Sequence, residues 1–294
     1  MKAVRIWVLA ARVRTLPAAV APVLVGTSLA IRDGEFDGWA FAFALLGAVF
    51  IQVGTNLSND YSDARRGADT EDRLGPVRVT AGGLVPPRQV LIATYVSFGL
   101  AVLCGIYLVA VAGPVLLAIG ALSIVAGVLY TGGPRPYGYA GLGELFVFLF
   151  FGLVAVNGSY YVQLERLDWL PFGLSVAVGC LATAILVVNN VRDIETDRRA
   201  GKRTLAVRLG RNGARRFYLS LLALAYVALL VTLAANGGPW WATLGFISLP
   251  LAIRPVRAVM TRTDGPSLNG ALAGTGALLG VFSLLVSGGL LLAS

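Results

Sequence analysis

Two short acidic stretches carry most of the side chains able to do chemistry. In the first, NLSNDYSDARRGAD from Asn56 to Asp69, Asp60, Asp63 and Asp69 are followed at once by Glu71 and Asp72. A third of the chain's 15 acids therefore fall between positions 60 and 72. The second stretch, NNVRDIETDRRAGKRTLAVRLG, runs from Asn189 to Gly210. On a helix, Asn56, Asp60 and Asp63 share one face at i, i+4, i+7, and Asn189, Asp193 and Asp197 do so at i, i+4, i+8. Carboxylates a turn apart repel one another unless something positive lies between them. Histidine is absent, which removes the commonest general base and the usual transition-metal ligand. Any metal here is held by oxygen, which points to magnesium or a similar hard cation. Two such clusters suit magnesium bridging a diphosphate, because that ion takes few carboxylates and completes its shell with water and phosphate oxygens.

The nearby cations divide into two groups. Arg78, Arg192, Lys202 and Arg203 lie close to the acid motifs, and Arg78 and Lys202 are the first candidates to hold phosphate oxygens, Arg by a fork and Lys as a point charge. Arg65, Arg66, Arg198 and Arg199 are explained by topology and anionic lipid alone. Acids and amides at a membrane helix end are often mere caps or solvated surface. Two matched clusters, each with Asn a turn ahead of Asp, favour a site instead.

The elements that position these motifs are membrane helices. The chain is 57% hydrophobic and 13% charged, about half the charge of a soluble domain. Nine apolar runs approach the roughly 20 residues needed to cross a bilayer: about 16–32, 38–58, 90–111, 114–131, 142–162, 170–190, 215–235, 239–260 and 269–292. The expected fold is all-α, a polytopic bundle of nine transmembrane helices, since lipid offers no partner to an open sheet edge. No linker divides the chain, so residues 1–294 are read as one domain, and the first span starts too late and too polar to be a cleaved signal. With the N-terminus cytoplasmic, 22 of the 24 Lys and Arg fall on that side, leaving only Arg32 and Arg166 outside. Both acidic stretches then face the cytoplasm, at the ends of the second and sixth spans, which suggests a weak four-helix repeat. The +9 charge reports this topology, and no nucleic-acid partner is expected. Cys104 and Cys180 lie inside apolar runs and read as small buried hydrophobes.

The pattern Asn59-Asp60-x-x-Asp63, with Asp193-x-x-x-Asp197, resembles the two aspartate-rich motifs of the UbiA-type intramembrane prenyltransferases. Within that superfamily the chain is similar to the 1,4-dihydroxy-2-naphthoate polyprenyltransferase (MenA) branch. The likeness is carried by ARVRTLPAAVAPVLVGT (11–27), NLSNDYSDARRGADT (56–70), GPVRVTAGGL (75–84), YTGGPRPYGYAGLGE (130–144), FFG (150–152) and NNVRDIETDRRAGKRTLAVRLG (189–210). The last two spans carry little of it. The third aspartate departs from the family's NDxxDxxxD spacing, lying six positions beyond Asp63.

The resemblance implies nine transmembrane helices, two magnesium ions and a polyprenyl diphosphate substrate. Asn56, Asp60 and Asp63 would serve one ion, with Asp69 a weaker candidate, and Asp193 and Asp197 the other, assisted by Asn189 or Asn190. Arg78 and Lys202 would bind diphosphate. Arg14 and Tyr137 or Tyr139 would line the naphthoate site, although an interfacial aromatic belt explains the tyrosines as well. The implied reaction joins the prenyl group to 1,4-dihydroxy-2-naphthoate with loss of CO2 and diphosphate, giving demethylmenaquinol for menaquinone synthesis in the cell membrane. Phe146, Phe148, Phe150, Phe151, Tyr160 and Tyr161 would offer ring faces to an allylic cation. The rival readings are a 4-hydroxybenzoate prenyltransferase, a CDP-alcohol phosphotransferase, whose contiguous motif the chain lacks, and a cation-coupled transporter, whose acids would sit nearer the bilayer midplane.

Overall fold

A computed structural model describes residues 3–68 and 74–293. Those residues form helices and connecting loops, with no strand among them. The helices are α1 (Ala3–Ala11), α2 (Pro17–Arg32), α3 (Gly38–Arg65), α4 (Pro87–Ala112), α5 (Val115–Leu129), α6 (Gly143–Leu164), α7 (Trp169–Arg199), α8 (Leu205–Ala235), α9 (Trp240–Thr261) and α10 (Gly265–Leu291). Local chemistry marks their starts. Asp37 accepts the free Trp39 and Ala40 N–H groups of α3, Thr204 accepts from Val207 in α8, and Asp264 accepts from Ser267 in α10. Gly113, at φ 86°, ends α4 in a conformation that costs other residues energy, and Pro114 follows it.

α7 is the axis of the bundle. It is buried along most of its apolar length, between α6, α8 and α10. The crossing with α6 is close because two glycines meet there: a Cβ on Gly152 would lie 2.7 Å from Gly179 Cα. At that crossing α6 widens into a π-helix over Phe148–Val154, which shifts the faces of the residues around it.

All nine apolar runs are helical, but they do not all pass as spans. Seven helices are long and apolar enough to cross a membrane, and α1 with α2 makes an eighth only as one span bent by 53°. α5 has 15 residues, about 22 Å of helix against a hydrocarbon core of about 30 Å. Gly113-Pro114 before it and Thr131-Gly-Gly-Pro134 after it stop it from growing. Length and composition thus give seven or eight spans where the sequence pattern predicts nine.

Candidate active site

At the end of the bundle where α3 and α7 carry their acids, a cavity of about 350 Å3 opens between the helices. α3 contributes Asn56, Asn59 and Asp63 to its lining, and α7 contributes Asn189, Asn190, Asp193 and Asp197. Two loops close this end. One, 130–142, brings Tyr130, Thr131, Tyr137 and Tyr139; the other, a strap over 74–86, brings Arg78. Lys202 completes it from the turn after α7, where Gly201 at φ 73° reverses the chain and Lys202 N–H bonds the Asp197 carbonyl at 2.8 Å.

Asp63 is the hub. Its carboxylate is 2% exposed and accepts a 2.7 Å hydrogen bond from the Tyr139 hydroxyl. Lys202 Nζ lies 3.2 Å from the other oxygen, and Arg78 lies 3.5 Å from it. Lys202 also sits 4.7 Å from the centre of the Tyr139 ring, so one cation is held by a carboxylate and a π face together. Tyr139 is fixed from behind, its carbonyl accepting from Arg203 N–H at 2.9 Å. Two cations so placed are within reach of the oxygens of a polyanionic ligand.

Across the cavity, Arg192 grips both oxygens of Asp193 at 2.8 and 2.6 Å, and it also donates to Asn189 Oδ1 at 2.8 Å. Asn190 donates to the buried Glu144 of α6 at 2.8 Å. Asn59 accepts from the Thr131 hydroxyl at 2.9 Å, and Asn56 donates to the Ala11 carbonyl at 3.0 Å. Asn190, Asn59 and Asn56 are thus oriented by neighbouring elements, and Asn189 by its own helix. Burial pushes the Tyr137 phenol up, so it stays neutral; it donates to the Ala126 carbonyl at 2.9 Å while its ring stacks on Phe146 at 4.0 Å.

Asp60, expected beside Asp63 as a metal ligand, points its chemistry elsewhere. Its two oxygens accept the backbone N–H groups of Val79 and Thr80 at 3.1 and 2.9 Å, and the residue does not line the cavity. Asn59, quoted in the motif but given no role, takes that place in the lining. The signal was available, since Asn56, Asn59 and Asp63 also form a helical stripe at i, i+3, i+7. Arg14 is exposed and does not line the cavity, whereas Arg12 does. Arg12 sits at the bend between α1 and α2 in the left-handed region, φ 53° and ψ 57°, a turn that no sequence pattern foretells. Asp69 lies outside the described residues. Of the six aromatic residues of α6, Phe146, Phe150 and Phe151 line the cavity. Phe148 packs against the core, and Tyr160 bonds Asp33 at 2.6 Å. Around those rings Ala48, Gly105, Gly120 and Gly158 keep the inner cavity open and apolar.

The donor set fits magnesium. Carboxylate and amide oxygens face the cavity from two helices, and no three acids, cysteines or histidines cluster tightly enough to cage an ion among the described residues. Magnesium typically takes one or two carboxylates and relies on substrate phosphates and water for the rest.

The fold and site define a membrane-embedded helical bundle whose cavity joins a polar, cation-bearing end to an apolar interior, as an amphiphilic anion requires. The chain belongs to the UbiA prenyltransferase family, whose model matches residues 19–273. It is 46% identical over 284 residues to the 1,4-dihydroxy-2-naphthoate octaprenyltransferase of Mycobacterium tuberculosis, covering 97% of this chain and 96% of that one. Among solved structures it resembles the apo form of a UbiA homolog from Aeropyrum pernix K1, with TM-score 0.71 at 15% identity over 94% of this chain and 97% of that one. It also resembles a UbiA homolog from Archaeoglobus fulgidus bound to GPP and Mg2+, with TM-score 0.64 at 13% identity over 96% and 99%.

Proposed function

We propose that the protein is a magnesium-dependent transferase. It moves a polyprenyl group from a polyprenyl diphosphate to 1,4-dihydroxy-2-naphthoate, releasing CO2 and diphosphate and giving demethylmenaquinol for menaquinone synthesis. The observation that carries the reading is the cavity itself, in which the Asp63–Tyr139–Lys202–Arg78 cluster opens directly onto an apolar interior. The choice of acceptor rests on the naphthoate-prenylating relative that matches nearly the whole chain.

Asp63 with Asn59 and Asn56 on α3, and Asp193 and Asp197 with Asn189 or Asn190 on α7, would hold the metal. Bound magnesium would supply Lewis-acid and electrostatic stabilisation of the leaving diphosphate. Arg78 and Lys202, already beside the cavity, turn from Asp63 to the phosphate oxygens as the anion enters. The bond between the allylic carbon and its oxygen breaks with the electron pair leaving on diphosphate. Phe146, Phe150 and Phe151 present dry ring faces to the electron-poor allylic carbon. A ring carbon of the acceptor donates the pair for the new C–C bond. Loss of the carboxylate as CO2 returns a pair to the ring, so no strong protein base is needed and the missing histidine is no handicap. Arg12 and Tyr137, both in the cavity lining, would bound the acceptor side.

The same reading places one domain in the cell membrane in nine spans, with the short α5 as one of them. The N-terminus and both acidic stretches face the cytoplasm, supported by the basic residues crowded on that side. Purified protein in lipid nanodiscs, given farnesyl diphosphate and either 1,4-dihydroxy-2-naphthoate or 4-hydroxybenzoate, tests the assignment. Prenylated naphthoquinol only, formed with magnesium and not with EDTA, is the expected result; product from hydroxybenzoate alone would refute the choice of acceptor.

A further inference from the structure

The strap that carries Arg78 is fastened at its middle and at its leading end. Its middle is held by Asp60 through the Val79 and Thr80 amides, and Val79 is buried with Ala10, Leu57 and Val90. Its leading end is held by α10. Asn269 Nδ2 donates to the Leu74 carbonyl at 3.2 Å, and Gly265 passes so close that a Cβ there would lie 2.6 Å from the same oxygen. Asn269 does not line the cavity, yet its other amide atom is also engaged: Oδ1 accepts from Arg192 Nη1 at 2.7 Å. Arg192 spends Nε and Nη2 on Asp193. A continuous chain of bonds therefore runs behind the cavity wall, from Asp193 through Arg192 and Asn269 to Leu74, four residues ahead of Arg78.

We propose that Asn269 is a positioning residue that sets the spacing between the two halves of the polar end. One half, Asp193, belongs to α7; the other, Arg78 on Asp63, is carried by the strap and α3. These halves face each other across the cavity, where a ligand must fit between them. Asn269 fixes the strap and the Arg192 guanidinium with a single amide, so neither shifts without the other. The C-terminal helix, which has no acid of its own facing the site, thereby takes part in diphosphate binding. The proposal rests on the transferase reading for its kinetic consequence and not for its structural one.

Two variants separate the bonds. Asn269→Leu removes both, while Asn269→Asp keeps an oxygen for Arg192 and loses the N–H that reaches Leu74. In nanodiscs, trypsin cleavage after Arg78 is expected to quicken in both variants, because the strap loses its leading anchor. With farnesyl diphosphate and 1,4-dihydroxy-2-naphthoate as probes, Asn269→Leu is expected to raise the diphosphate KM about tenfold, the effect of losing a hydrogen bond. The naphthoate KM stays at its wild-type value. Wild-type cleavage rates in both variants overturn the proposal. So does a joint rise of both KM values with a falling Tm, which marks a packing role alone. If no preparation shows transfer, the function assigned above fails, and the cleavage rates still decide the role of Asn269.

Discussion

Replacing Asp60 tests whether its carboxylate holds the strap or a metal. Asp60 is 2% exposed and accepts two backbone N–H groups of the strap. A hydrogen bond to a charged group is worth about 1.5–3 kcal/mol, so Asp60→Ala removes about 3–6 kcal/mol from the closed strap. At about 1.4 kcal/mol per decade, opening becomes roughly 10²–10⁴-fold more frequent. Asp60→Asn keeps one accepting oxygen but turns an N–H2 toward the second amide, and is expected to lose at least half as much. Hydrogen exchange of a peptide spanning 74–86, followed by mass spectrometry in nanodiscs without magnesium or substrate, reads this directly. Faster exchange there, with α7 and α8 unchanged, is the expected result. Wild-type protection of 74–86 in Asp60→Ala, with magnesium-dependent turnover lost, would show that Asp60 works at the metal and that the strap needs no carboxylate.

Three other substitutions test separate parts of the account. Tyr139→Phe removes the 2.7 Å bond to Asp63 but keeps the ring beneath Lys202, so kcat/KM for the diphosphate falls about 10–100-fold while the Tm holds; steady-state kinetics and a thermal melt check both. Gly152→Ala forces a methyl against Gly179 Cα at 2.7 Å and the Ser175 carbonyl at 2.8 Å, and is expected to destabilise the α6–α7 crossing by about 1–3 kcal/mol, seen as a lower Tm. A Cβ at Gly105 would meet open space beside the cavity, so Gly105→Phe is expected to fill part of the apolar interior. Competition between farnesyl and octaprenyl diphosphate is expected to shift toward the shorter chain.

The helices were legible because apolar runs are long and their ends are marked by Asp37, Asp264, Gly113 and similar residues. Whether a run spans was less so: α5 is cut to 15 residues by glycine and proline at both ends, and hydropathy does not register that cut. On α7 the stripe Asn189, Asp193, Asp197 reaches the cavity as its spacing predicts. On α3 the same rule admits two stripes, one through Asp60 and one through Asn59, and periodicity alone does not choose between them. The choice is made by the strap, a partner distant in sequence whose free amides claim Asp60. Likewise a left-handed Arg12 brings that residue, and not Arg14, to the cavity, and of the six aromatic residues in α6 Phe146, Phe150 and Phe151 reach it. Asn269 had no motif around it, because its role lies in two bonds to distant residues.

The central claim is that the cavity couples prenyl transfer to decarboxylation of a naphthoate. It is tested most directly with 1,4-dihydroxy-2-naphthoate labelled at its carboxyl carbon, supplied with farnesyl diphosphate and magnesium to protein in nanodiscs. One labelled CO2 released per prenylated product, and none without the diphosphate, is the predicted result. Prenylated product that keeps the label, or CO2 released without prenyl transfer, would contradict it.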